Sequence, residues 1–206
     1  MSAETVTRAW ERIEAWFAQH APDGLTALAP GATDEAIAGA EAFLGVKLPG
    51  EVRASYLRHD GQRVGEEYNG FAMGVKEFLS LARICDEWQV WKELLDEGNF
   101  SGVHSEPDAG VCADWWNARW IPLTADGSGN NACLDLAPTE NGSVGQIIAM
   151  WHDDPIRTRL ALSFGAWLEG FADDLEAGEY VTHPGYTGIV QREDVYDESD
   201  EDEKEA

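Results

Sequence analysis

The run Asp126-Gly127-Ser128-Gly129-Asn130 is the first place to seek phosphate or calcium chemistry. Its glycines free the backbone to aim successive N–H groups at an anion, and its acid and amide oxygens could meet a hard cation. Neither pattern is complete. No GxxxxGK[ST] or GxGxxG is present, and the run sits between two apolar stretches rather than ahead of a helix. Counted as a calcium loop from Asp126, the sixth position is Asn131 and the twelfth is Ala137, where a glycine and a glutamate are required. The run reads as a hairpin turn.

Other chemistries fare no better. His20, His59, His104, His152 and His183 are scattered, with no HExxH and no neighbouring Cys/His pair. Cys85, Cys112 and Cys133 are an odd, widely spaced set that offers neither a disulfide framework nor a CxxC motif. No GxSxG elbow occurs. Among 39 acids, carboxylate pairs are so numerous that their abundance carries no signal of acid–base catalysis. The residues therefore give no catalytic group, no metal site and no cofactor. The tryptophans at 88, 91, 115, 116, 120 and 151 could stack sugars or bases, but at helical or strand spacing they read as core. Trp115 and Trp116 are the exception, because adjacent strand residues face opposite ways and one ring can be exposed.

Charge says more than any motif. The chain carries 14 basic and 39 acidic side chains, net -25. Glu193 to Ala206 hold nine acids and one lysine, which leaves -17 on residues 1–192. Such a field repels nucleic acid and anionic membranes, and it speeds encounter with a basic partner roughly 10- to 1000-fold at low salt. The plainer alternative is that acidity only keeps the chain soluble. The opening MSAETVTRAWERIE has no basic region followed by an apolar one, and no apolar run approaches the ~18–20 residues that span a bilayer. A cytoplasmic protein is expected.

The elements that must position any site follow from periodicity. Val6, Trp10, Ile13, Trp16 and Phe17 predict an amphipathic helix over about 4–20, ended by His20, Pro22 and Gly24. Thr33 caps a helix stopped by Gly45, and Pro49 opens a third that exits through His59-Asp60-Gly61-Gln62. Residues 63–70 read as a loop and 71–75 as a short strand, with helical spacing from Lys76 to Gly98 and a connecting segment over 99–114. Trp120-Ile121-Leu123 and Cys133-Leu134-Leu136 form the central hairpin around which the helices pack. Residues 146–151 and 157–161 add strands, and Ser163 caps a last helix closed by Gly178. Sequential strands with short turns argue an α+β domain with a mostly antiparallel twisted sheet and packed helices. It is expected over residues 1–182, followed by an acidic flexible tail over 183–206.

As a set, these segments resemble the Smi1/Knr4 family, or SUKH superfamily. The resemblance rests on LAPGAT into DEAIAGAEAFLG, LPGEVRASYLRHDGQ, WIPLTADGSGNNACLDLAP, GQIIAMWHDD and SFGAWLEGFADDL, in that order between about Trp10 and Tyr180. It implies an α+β domain without known catalysis. Fungal members act in regulation of cell-wall synthesis and as signalling scaffolds. Bacterial members resemble immunity proteins that neutralise toxins, many of them nucleases. The sequence lacks the long low-complexity arms of fungal members, which favours the compact bacterial type. The section from Glu87 to Asp114 and the acidic tail depart from the family pattern.

The leading expectation is a non-enzymatic immunity protein that docks a basic toxin, as a monomer or homodimer. The alternative is a regulatory scaffold in cell-wall synthesis or signalling. A hydrolase or small-molecule binder is a third reading, which a deep pocket of converging polar groups would revive. Candidate partner contacts are Asp60, Glu66, Glu67, Asp114, Trp115, Asp126, Asp153 and Asp154, all on expected turns or loops. Each has a plainer role as a solvated acid or, for Asp60 and Asp126, as a turn former.

Overall fold

Thr33 and Gly45 delimit a helix in the way their residue types demand. The Thr33 hydroxyl accepts the Ala36 N–H at 3.2 Å, and Gly45 takes φ +67° to turn the chain out of the helix. Ser163 and Gly178 repeat the pairing, with the Ser163 hydroxyl 3.2 Å from the Ala166 nitrogen and Gly178 at φ +78°. The computed structural model describes residues 3–63, 73, 76–186 and 188–195. Within them the helices are α1 (Ala3–His20), α2 (Pro22–Ala27), α3 (Asp34–Leu44), α4 (Gly50–Arg58), α5 (Leu81–Asp96) and α6 (Phe164–Ala177). The expected strand over 71–75 lies largely outside the described residues.

Three local expectations shift. Pro22 ends α1 but also opens α2, because a proline in the first turn has no N–H to waste. Pro49 is the residue before α4 rather than its first. Helical spacing suggested a start near Lys76, yet residues 77–78 are extended as β1 (Glu77–Phe78), and α5 begins only after the Ser80 hydroxyl caps it by accepting from Arg83 N–H.

The remaining strands are β2 (Glu106–Pro107), β3 (Trp120–Pro122), β4 (Thr124–Ala125), β5 (Asn131–Asp135), β6 (Gln146–Met150), β7 (Ile156–Arg157), β8 (Arg159–Ala161), β9 (Tyr180–Thr182) and β10 (Ile189–Gln191). The central sheet runs β3-β5-β6-β8, antiparallel throughout, with Trp120 opposite Asp135 and Cys133 opposite Ile148. Every residue of β5 and β6 is buried, so both faces are covered. β1 pairs with β4 in antiparallel fashion, while β2 and β7 make a short parallel ladder. The architecture is α+β with a mostly antiparallel sheet. Trp10, Phe17, Tyr56, Phe78, Trp120 and Phe164 are fully buried and form the aromatic part of one core that joins helices and sheet.

The body also runs past 182, where the tail was expected to begin. β9 and β10 pair antiparallel, with Val181 opposite Val190, and Ile189 and Val190 are buried. Composition hides this hairpin because it is held by partners elsewhere: Tyr180 packs edge-on against Phe171 of α6, and Arg192 donates from its side chain to the Gly178 carbonyl and from its backbone N–H to the Glu179 carbonyl.

Candidate functional site

Asp126 organises the loop between β4 and β5. One of its oxygens accepts the backbone N–H of Ser128 at 2.8 Å and of Asn130 at 3.1 Å, and the other accepts the Asn130 side-chain N–H at 2.7 Å. Burial opposes ionisation here, but these donors outweigh it and hold the carboxyl below its usual range. Asn130, itself buried, then reaches across the sheet end. Its Oδ1 accepts the His152 backbone N–H at 3.0 Å and lies 3.0 Å from the His152 ring Nδ1. A side chain at Gly129 would crowd the His152 Cβ at 3.2 Å, and its φ of +96° suits glycine alone. The His152 ring is 3.7 Å from the exposed carboxylate of Asp153. Two of the expected contacts, Asp126 and Asp153, thus belong to one linked group through Asn130 and His152.

Arg157 builds the other half of this surface. It is fully buried, yet among the described residues its guanidinium donates hydrogen bonds only to main-chain carbonyls: those of Asp154, Ile156 and, at 2.8 Å, Trp115. Desolvation lowers its pKa, as burial of a cation must. The Asp154 side chain turns back onto the Ile156 N–H at 2.7 Å. Trp115 is half-buried under the guanidinium, while Trp116 is buried between Trp88 and Trp91; the two rings have different surroundings, but residues 115–116 form a bend rather than the expected strand, and neither ring is exposed. Asp114 is exposed and accepts from the Asn117 side chain at 2.6 Å. Asp114 and Trp115 are sequence neighbours, and Arg157 joins Trp115 to Asp154, so these three form a second linked group beside the first.

Asp60 stands elsewhere. Its carboxylate accepts the Leu81 N–H at 2.8 Å and so closes the N-terminus of α5, a structural task. Glu66 and Glu67 lie outside the described residues. The sequence reading missed Asn130, His152 and Arg157. Asn130 and His152 were visible only as turn residues 22 positions apart, and an arginine in a strand signals an exposed side chain rather than a buried one.

Reactive groups are muted. The free thiols of Cys85, Cys112 and Cys133 are all pushed up by burial, which keeps them protonated near neutrality. Burial also raises Asp135, the shift an acid catalyst needs, but this side chain is fully enclosed and its oxygens are taken by the Ala137 N–H and the Gln146 amide. Among the described residues no group of three or more His, Cys, Asp or Glu is arranged to hold a metal ion. A groove of about 980 Å³ runs between α1 and the end of α6, lined by Arg8, Trp16, Tyr180 and Arg192 among others. Across it Arg12 is tied to Glu176 and Asp173. No helix among the described residues is long and apolar enough to cross a membrane.

Residues 31–170 match the model of the SMI1 / KNR4 family (SUKH-1). The chain is 30% identical over 188 residues to "Cell wall biosynthesis/cell cycle regulator smi1" of Schizosaccharomyces pombe, an alignment covering 85% of this chain and 37% of that protein. It is 29% identical over 205 residues to "Cell wall assembly regulator SMI1" of Saccharomyces cerevisiae, covering 84% and 41%. A third relative, "Glucan synthesis regulatory protein" of Neurospora crassa, is 27% identical over 222 residues, covering 91% and 42%. The chain spans about two-fifths of the length of these curated relatives. With most of its length inside the family model and relatives aligned over more than four-fifths of it, the chain belongs to the SMI1/KNR4 family.

Proposed function

We propose that this chain is a non-catalytic, protein-binding regulatory domain that presents the surface around Asp114, Trp115, Asp126, Asp153 and Asp154 to a basic protein partner. The observation that carries the reading is the joining of these five residues into two adjacent linked groups by Asn130, His152 and Arg157. Their acids add to a body that already bears a large negative charge. The names of the relatives, regulators of cell-wall assembly and glucan synthesis, favour the regulatory alternative over toxin neutralisation, which gains no support from them. Fully enclosed or hydrogen-bonded acids and protonated thiols agree with a domain that does no bond chemistry. Three free thiols agree with a cytoplasmic setting.

The test is affinity capture from the source cell with the intact chain and with an Asp126→Asn, Asp153→Asn, Asp154→Asn variant, followed by titration of the purified captured protein. A partner of basic character should bind the intact chain, release as salt rises, and bind the variant at least about tenfold more weakly. Equal affinity for both chains, or turnover of a bound small molecule, would overturn the reading.

A further inference from the structure

The stretch from Trp151 to Leu162 carries a feature that the acidic surface does not use. Nine large apolar side chains are exposed among the described residues, and four of them, Trp151, Ile156, Leu160 and Leu162, crowd onto this stretch at 42–63% exposure. Single exposed apolar residues need no explanation, but four within twelve residues do. Leu160 lies on β8 and Leu162 just after it, at the rim of the central sheet, because among the described residues β8 has β6 on one side and no strand on the other. The start of that rim is closed: the Arg159 N–H donates to the Asp108 carboxylate at 2.8 Å, and a bulge opposite Ile147 and Ile148 interrupts the ladder. From Leu160 to Leu162 no further strand covers it among the described residues. Open apolar edges are a hazard that sheets ordinarily blunt with charge or bulges.

Beside this edge lies a pocket of about 340 Å³, with Leu160, Trp167, Gly170 and Phe171 in its wall and Asp174 and Tyr180 to one side. Asp174 is exposed, makes no side-chain hydrogen bond or ion pair among the described residues, and has Glu179 and Asp173 as like-charged neighbours. A cation beside it would offset that like-charge repulsion. Lys76 stands in the wall of the same pocket, but its ammonium is turned to the Trp151 ring, 5.7 Å from the ring centre.

We propose that Leu160–Leu162 and the pocket beside them form a docking strip for an extended partner segment that alternates apolar and basic side chains. The segment's backbone lengthens the sheet at β8, its apolar residues cover Ile156, Leu160 and Leu162, and one lysine or arginine reaches Asp174. The strip rests on the protein-binding reading above and names the kind of segment that is bound.

The probe is the heptapeptide KVKVKVK, with EVEVEVE as its charge-reversed control, titrated into the full chain and followed by amide hydrogen exchange and calorimetry. The first peptide should bind and slow exchange at Leu160 and Leu162 at least about fivefold, and the control should not. Leu162→Asp, at a side chain already exposed, should weaken binding about tenfold, and Asp174→Asn about threefold. Protection confined to 114–117 and 126–130 would remove the strip while leaving the protein-binding reading intact. Binding of neither peptide would also remove it. So would self-association of the free chain that Leu162→Asp abolishes, since a second copy would then be the occupant.

Discussion

The Arg157 guanidinium lies over the face of Trp115, 5.0 Å from the ring centre, and also donates to the Trp115 carbonyl at 2.8 Å. One buried side chain thereby fixes both the ring and the backbone of a surface residue, and through the Asp154 and Ile156 carbonyls it fixes the facing turn. Arg157→Met keeps much of the packing but leaves three carbonyls without donors. It should cost about 3 kcal/mol of unfolding free energy, with recovery of the desolvation penalty keeping the loss from being larger. Urea denaturation of the two chains measures it.

Asp60 and Asp153 separate structure from binding. Asp60→Ala removes the acceptor for the Leu81 N–H at the start of α5 and should cost about 1 kcal/mol while leaving partner affinity unchanged. Asp153 is exposed and holds no backbone group among the described residues. Asp153→Ala should leave stability within about 0.5 kcal/mol of wild type and weaken binding. Paired denaturation and titration curves distinguish the two.

Asp126 combines both roles. Asp126→Ala releases the Ser128 and Asn130 N–H groups and unties Asn130 from the loop. A loss of about 2 kcal/mol is expected, together with broadening of the His152 resonances, because Asn130 is the link to that ring. Unchanged His152 spectra would show that the two loops are independent.

Stability should fall in acid through Glu14 and Glu41. Arg58 is the largest influence on Glu14 and lowers its pKa against the opposing effect of burial. At Glu41 burial is the largest effect and raises the pKa, but Lys47, the Leu48 N–H and Arg53 together outweigh it, so the net direction is again downward. A folded-state pKa below the unfolded one gives stability that is present above the ordinary glutamate value, near 4.3, and lost as pH falls through the folded value. The midpoint of urea unfolding should therefore drop below about pH 4.3, and Glu41→Gln should flatten that drop. A steeper fall in the variant contradicts the assignment.

What was legible in the sequence is what local chemistry decides. Thr33 with Gly45 and Ser163 with Gly178 mark helix ends within a few residues of one another, and the Asp126 loop carries its own turn signal. What was hidden depends on distant partners. β1, β2 and β10 are two or three residues long, too short for any period to show, and exist because β4, β7 and β9 lie alongside. The Asp60 cap meets its amide 21 residues later, and Arg157 reads as a surface cation until the carbonyls of Trp115 and Asp154 enclose it. Of the eight expected contacts, five fall on the proposed surface, because acids on turns at one end of a sheet are brought together by the strand pairing of β5 with β6 and of β2 with β7.

The most direct measurement is the affinity of the purified basic partner for the chain with Trp115→Ala and Asp154→Asn combined, titrated at 50 and 300 mM salt. The expected result is a loss of at least about tenfold at low salt that shrinks at high salt, with the fold intact by circular dichroism. The same affinity as wild type at both salt concentrations would contradict binding through this face.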